Sequence, residues 1–205
     1  MPIFVLYGFL YYKEIKSGIV QQANNPFFSF KLKSSKPDRV RLTENEIVAI
    51  ENLELPEEDF IWHVKNAFLF ACYTAGMRAS DIIMLKWASI KNVRLLYVMH
   101  KTKKAHSVKL IDKTKKILDY YGPKSPDEYV FQFFNSDAAF LHNQISAKTA
   151  LINKYLKFIA NKADIDKKIS THTARHSYAD IARKKTDNLY NLSKTLGHSD
   201  LQYNR

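Results

Sequence analysis

The sequence predicts an α+β fold that is mainly α, a set of helices packed around one small antiparallel sheet. Three observations predict it. Apolar residues recur at helical spacing, as in Ile61, Val64, Phe68 and Cys72. The period then changes: Val93–Met99 and Ala105–Leu110 read as two strands around the polar turn Lys101-Thr102-Lys103-Lys104, a hairpin. Apolar residues make up 46% of the 205, enough to bury a core and to argue against general disorder.

The elements follow in order. Residues 1–22 read as an amphipathic or apolar helix that ends near Gly18. Residues 23–41 are polar and turn-like, with Asn24-Asn25-Pro26 and Lys33-Ser34-Ser35-Lys36-Pro37-Asp38, and form a linker or extended arm. Thr43 and Glu46 make a capping box that opens a helix carrying Ile47, Val48 and Ile50. A longer helix runs from Glu57 to Thr74, where Leu69 and Phe70 add deep burial. Ser80 is expected to cap a third helix through Leu85. After the hairpin, Asp112 caps a helix to Tyr121, stopped by Gly122-Pro123. Glu128–Phe133 is expected as a third short strand. Residues 137–163 form a helix whose core side is Leu141, Ile145, Leu151, Tyr155 and Phe158. Two more helices cover 173–185 and 187–196, the second ended by Gly197.

Charge and cysteine content narrow the function. Thirty-two Lys and Arg against 20 Asp and Glu give a net charge of +12. The charge is segregated: seven acids and no base from Thr43 to Phe60, then eight Lys against Asp112 and Asp119 from Lys101 to Lys124. From Ile145 to Lys185, ten Lys or Arg face Asp164, Asp166 and Asp180. A fold that gathers the basic stretches on one face suits nucleic-acid phosphate, although each run alone also reads as a solvated helix face. Cys72 is the single cysteine, so a disulfide framework and a multi-cysteine zinc site are excluded and a reducing compartment is expected. No run approaches 18 apolar residues, which argues against a membrane span, and the opening Met1–Tyr7 lacks the flanks of a signal peptide.

Several chemistries lack their residues. Five glycines, none suitably clustered, make no phosphate loop. His172 and His176 have zinc-ligand spacing, but Thr173 stands where the usual motif has Glu and no third ligand is evident, so no metal is expected. No serine sits in a nucleophile elbow, and no paired carboxylates sit in an apolar setting.

A scattered set of cations and histidines stands out. Arg78 lies in Thr74-Ala75-Gly76-Met77-Arg78-Ala79-Ser80-Asp81, between a buried helix and the next. Lys101 is at the hairpin tip, in His100-Lys101-Thr102-Lys103. His172 and Arg175 lie in Thr171-His172-Thr173-Ala174-Arg175-His176, and His198 in Leu196-Gly197-His198-Ser199-Asp200. Each has a plainer reading. Arg78 could be a helix C-terminal charge, Lys101 a solvated turn lysine, His172 and Arg175 a capping histidine and a surface arginine, His198 a C-terminal cap. His176 reads as packing around the site.

Taken in order, these residues resemble the tyrosine recombinases, or phage-integrase-type recombinases. That family has an Arg in a G-x-R-x-S-(E/D) context, a Lys in a β-hairpin, an H-x-x-R box, an L-G-H box and a tyrosine nucleophile. The first four stand here in that order, with Arg78 and Arg175 97 positions apart, and the resemblance covers residues 40–201. The style of the hairpin and of the Leu196-Gly197-His198-Ser199 box is similar to integrases of bacterial phages, transposons or conjugative elements.

The resemblance implies the tyrosine-recombinase catalytic fold, with a three-stranded sheet, and site-specific DNA recombination or integration. A tyrosine oxygen attacks a phosphodiester, giving a 3′-phosphotyrosine and a free 5′-hydroxyl, and a second hydroxyl reverses the step. Bond energy is retained in the phosphotyrosine, so the resemblance implies no cofactor, neither ATP nor metal. It assigns Arg78 and Arg175 to the charge that builds on the non-bridging oxygens, where planar guanidiniums act best. Lys101 would protonate the leaving 5′-oxygen, with Lys103 and Lys104 as competitors for that role and as DNA contacts. His172 would take or orient the tyrosine proton, His198 would bond a non-bridging oxygen, and Asp81 would support Arg78.

The nucleophile candidate is Tyr203, five residues past His198. The family's pattern sets it further on, a shortfall of about four residues or about 6 Å along a helix axis. The expectation is therefore a last helix of a missing DNA-clamping domain at 1–22, a linker at 23–41, and a catalytic domain at 42–205 truncated at its C-terminus. Double-stranded DNA is the expected partner, with self-association on DNA in the intact protein and no membrane contact. The expected location is the bacterial cytoplasm, on the nucleoid when DNA is bound. The alternative is a non-catalytic DNA-binding fragment.

Overall fold

The computed structural model describes residues 3–22, 39–57, 59–122, 124–133 and 141–186. The chain divides into two units, 1–38 and 39–205. In the first, helix α1 (Ile3–Lys16) ends just before Gly18, whose φ of 78° is left-handed and costs glycine little. That is the predicted helix and the predicted stop.

The second unit begins with the predicted capping box. Thr43 N–H donates to Glu46 Oε2 at 2.7 Å and Glu46 N–H donates to Thr43 Oγ1 at 3.2 Å, opening α2 (Glu44–Glu51). Helix α3 (Phe60–Tyr73) is the centre of the unit, packed against α2 and every later helix of the unit. Those later helices are α4 (Ala79–Ile83), α5 (Asp112–Tyr121), α6 (Leu141–Lys162) and α7 (Thr171–Lys185). Val64 to Cys72 are buried without a break, so α3 has no polar stripe, as a central helix requires. Two buried polar residues on α3 interrupt its apolar surface, Lys65 and Asn66, and the Lys65 ammonium donates to Leu53 O at 2.8 Å. Truncating Phe70, fully buried and edge-on to Phe131, would cost about 3–5 kcal/mol.

The sheet has order β1-β2-β3 with β1 (Ile90–Lys91), β2 (Arg94–Val98) and β3 (Ala105–Lys109), all antiparallel. The β2–β3 hairpin is the expected one, with Leu96 opposite Ser107 and Val98 opposite Ala105. Its third strand is not. Residues 128–133 give one bridge, Tyr129 to Lys86, and the third strand comes from Ile90–Lys91, before the hairpin. Phe131 and Phe133 are instead core rings near α3.

Two local expectations also change. Helix α4 begins at Ala79 with Arg78 at its N-cap position, so Ser80 lies inside the helix and caps nothing. On α6, Ile145 is buried and Tyr155 packs against the core as expected, but Phe158 is 49% exposed and the core side is completed by Ile152, Leu156, Ile159 and Ala160. A shift of one residue along a helix turns the apolar face by about 100°. The expected helix 187–196 and its stop at Gly197 lie outside the described residues.

Candidate active site

Three elements bring the site together, and each is fixed by local chemistry. The end of α3 reverses sharply. Thr74 Oγ1 donates to Phe70 O at 2.6 Å, and Ala75 and Gly76 follow at φ 59° and 68°. This turn leads into Arg78, four residues past the end of α3's cap at Thr74 and at the start of α4. A cation gains nothing from the dipole at a helix N-terminus. The plainer reading of Arg78 as a helix C-terminal charge therefore fails.

The start of α7 is held from both sides. Ser170 N–H donates to Thr173 Oγ1 at 2.9 Å, and Thr171 N–H donates to Asn153 Oδ1 on α6 at 2.9 Å. One turn later, Arg175 lies against the α3 reversal. A Cβ built on Gly76 would stand 2.7 Å from Arg175 Cα, and Arg175 Nη1 donates to Gly76 O at 3.2 Å. Arg175 is thus a half-buried side chain seated on α3, not a surface arginine.

The hairpin is tied in by a carboxylate. His100 N–H donates to Asp81 Oδ1 at 2.8 Å, which joins α4 to the residue just before Lys101. Met99 N–H donates to Lys104 O at 2.9 Å and Lys103 N–H to Met99 O at 2.8 Å, closing the loop. Arg78 Nη1 approaches Met99 Sδ at 3.3 Å, a weak acceptor that leaves the other guanidinium donors for a ligand.

Electrostatics puts these groups in one neighbourhood. Burial pulls the Arg175 guanidinium below its ordinary value, and Arg78 beside it pulls the same way, against Tyr97 and Asp81. Burial pushes the Asp81 carboxyl up, against the pull of the His100 amide, Arg78, His100 and Arg175. Tyr97 is pushed up to about 12 by burial and by Asp81, with Arg175 and Arg78 opposing. Two like charges share a partly desolvated site, and an anion would relieve both. Beneath the hairpin is a cavity of about 270 Å³ lined by Asp81, Met84, Tyr97, Met99, His100 and Lys103.

The predicted site residues fall into three groups. Arg78, Arg175 and Asp81 are brought together. Lys101, Lys103 and Lys104 are exposed on the hairpin turn, and His172 is exposed in the first turn of α7. His176, one turn on, is held low by burial, with Arg39, His172, Arg41 and Arg175 adding to it. His198 and Tyr203 lie outside the described residues. Sequence reasoning missed Tyr97 and Met99. Strand alternation was the available signal, since Leu95 and Tyr97 share the inward face of β2 and Met99, buried just past its end, keeps the same alternation. It also missed the part of Asp81 in holding the hairpin.

An arginine at the start of α4 and one in the second turn of α7, with a lysine-bearing hairpin tied in through a buried carboxylate, make a cationic cluster on a helical domain. Residues 40–204 match the phage integrase family, and the chain belongs to that family. It is 26% identical over 199 residues to a tyrosine recombinase of Thermosipho africanus, covering 96% of this chain and 65% of that protein. It is also 26% identical over 138 residues to the tyrosine recombinase XerD of Listeria innocua, covering 66% of this chain and 46% of that protein. The chain thus spans less than two thirds of the length of these relatives. Among solved structures, it is similar to a lambda integrase(75-356) dimer bound to a COC′ core site. The TM-score is 0.70 at 18% identity, over 95% of this chain and 67% of that one. The XerH site-specific recombinase bound to difH substrate gives 0.61 at 19% identity, over 84% and 51%. These two likenesses show the fold.

Proposed function

We propose that this chain is the catalytic part of a tyrosine recombinase, which cuts and rejoins double-stranded DNA through a 3′-phosphotyrosine. The observation that carries the reading is the gathering of Arg78 and Arg175 around Asp81, whose carboxylate also holds the backbone N–H of His100 at the base of the lysine-bearing hairpin. The transition state of phosphoryl transfer bears extra charge on its equatorial oxygens, and paired guanidiniums stabilise it. In this reading Lys101 protonates the leaving 5′-oxygen, His172 handles the tyrosine proton and His198 bonds a non-bridging oxygen. Tyr203 is the candidate nucleophile within this sequence, about four residues short of the place the family's pattern gives it. Lys103 and Lys104 grip DNA phosphate.

Helix α1 belongs, in the same proposal, to a DNA-clamping domain, and residues 23–41 link it to the catalytic part. The exposure of Tyr7, Phe9, Leu10 and Tyr12 supports this, because four large apolar side chains on one helix suit a larger core. Self-association on DNA is proposed from the dimer of lambda integrase and from its tetramer bound to a Holliday junction. No helix among the described residues is long and apolar enough to cross a membrane. A role on the DNA of a bacterial mobile element completes the reading.

A nicked suicide DNA duplex tests it. The expected result is a denaturant-resistant protein–DNA adduct that is absent in Arg175→Ala and in Tyr203→Phe. DNA binding with no adduct in the unaltered chain would overturn the catalytic reading.

A further inference from the structure

Consecutive residues at the entry of the hairpin turn are held by two residues of α4. His100 N–H donates to Asp81 Oδ1 at 2.8 Å, and Arg78 Nη1 donates to Met99 Sδ at 3.3 Å. Arg78 is at the N-cap position of α4 and Asp81 lies in its first turn, so both holds come from one end of one helix. The backbone of Met99 is committed to the turn itself. Its N–H donates to Lys104 O at 2.9 Å, and its C=O accepts the Lys103 N–H at 2.8 Å. Met99 therefore has its main chain in the loop that carries Lys101 and its side chain on the guanidinium of Arg78. It is 1% exposed, and dense packing of that kind fixes a side chain in place.

The chemistry of the sulfur suits this place. A thioether is a weak, neutral and polarisable acceptor. It directs one N–H without giving the guanidinium a counter-charge. A carboxylate there would bind the arginine more strongly and would compete with an incoming phosphate. An aliphatic side chain would fill the space and take the acceptor away. The guanidinium is a rigid plane, so directing Nη1 also turns the donors on Nε and Nη2.

We infer that Met99 is a positioning residue for DNA cleavage: its thioether sets the plane of the Arg78 guanidinium against the turn that carries Lys101. The inference rests on the catalytic reading above and deepens it, since it names what aligns one of the arginines. Met99, being buried, acts through Arg78 and not on DNA itself. Its contribution belongs to the transition state, where the orientation of donors counts most.

The test is single-turnover adduct formation on the nicked duplex, with duplex affinity measured beside it by fluorescence anisotropy. Met99→Leu keeps an apolar side chain of similar volume and removes the acceptor. It is expected to slow adduct formation about tenfold, less than loss of the arginine itself, and to leave affinity within about twofold. Protein grown with norleucine in place of methionine exchanges each sulfur for a methylene. It is expected to show the same loss, and to show no further loss when Met99→Leu is already present, which sets aside Met77 and Met84. Selenomethionine keeps a soft acceptor and is expected to retain the rate. In an Arg78→Ala background Met99→Leu should cost nothing more, because the guanidinium it aligns is gone. Equal slowing in both backgrounds, or a norleucine protein as fast as the methionine one, would overturn the assignment while leaving the catalytic reading intact. An unaltered chain that forms no adduct would overturn both.

Discussion

Arg175 rests on Gly76. The Cα of the arginine lies where a side chain on the glycine would begin, 2.7 Å from an ideal Cβ, and Arg175 Nη1 donates to Gly76 O. The G-x-R spacing therefore does two jobs. Its glycine brings α7 against the α3 reversal, and its arginine, two residues on, enters the same site from the other side. Gly76 also sits at φ 68°, so any side chain there is strained even before the clash. Gly76→Ala is expected to cost about 2 kcal/mol in stability. Adduct formation should fall further than that, because Arg175 must shift by several tenths of an ångström. Thermal denaturation beside a single-turnover adduct assay measures the two losses separately.

Arg175 itself should not be replaceable by lysine. Its guanidinium donates to Gly76 O from a rigid planar fork. A lysine ammonium can reach the carbonyl or the phosphate, but it cannot present the same fork to both. Arg175→Ala and Arg175→Lys are each expected to slow cleavage by roughly 10²–10³. Single-turnover cleavage at saturating DNA is the measurement. A lysine variant close to the unaltered rate would show that a point charge suffices.

Asp81 separates the hairpin from the helices in its effect. In Asp81→Ala the His100 N–H loses its acceptor, at a cost of about 1–3 kcal/mol, and the turn carrying Lys101 loosens. Asp81→Asn keeps an acceptor and should keep the turn. Amide hydrogen exchange at His100 reads the difference. The same residue sets a pH dependence. Burial raises its folded-state value above that of the unfolded chain, so the folded state holds this proton more tightly. Its stabilising contribution is present at low pH and is lost as pH rises through the raised value. Asp81→Asn removes the titration, and chemical denaturation from acid to neutral pH should show that part of the curve flattened.

Much of this site is legible in the amino-acid sequence, and the reasons are physical. Arg78, Lys101, His172 and Arg175 lie in short motifs whose residue types answer directly to phosphate chemistry. The Thr43–Glu46 box and the hairpin turn are local signals, set by neighbours in sequence. The misses are tertiary. Residues 128–133 have an apolar content that suits a strand, but Phe131 and Phe133 are drawn into the core by α3, α5 and Tyr121, leaving one bridge. Ile90–Lys91 is too short to signal a strand alone and becomes one because β2 offers an edge. The hydrogen bond between Leu42 and Ser177 joins residues far apart in the chain, and no local pattern announces it.

That bond makes a last prediction. Ser177 is fully buried on α7, donating to Thr173 O at 2.7 Å while accepting the Leu42 N–H at 2.8 Å. In Ser177→Ala the N–H of Leu42, a residue only 2% exposed, loses its acceptor. The expected cost is about 1–3 kcal/mol. The loss should be local in its first effect. Arg175 is held by Gly76 and α7 by its own N-terminal bonds, so the arginine pair stays formed. The entering segment 39–42 is what is released. Hydrogen exchange at Leu42 should rise by more than exchange in the middle of α3. Equal loss of protection at both places would mean instead that the segment and the core unfold as one unit.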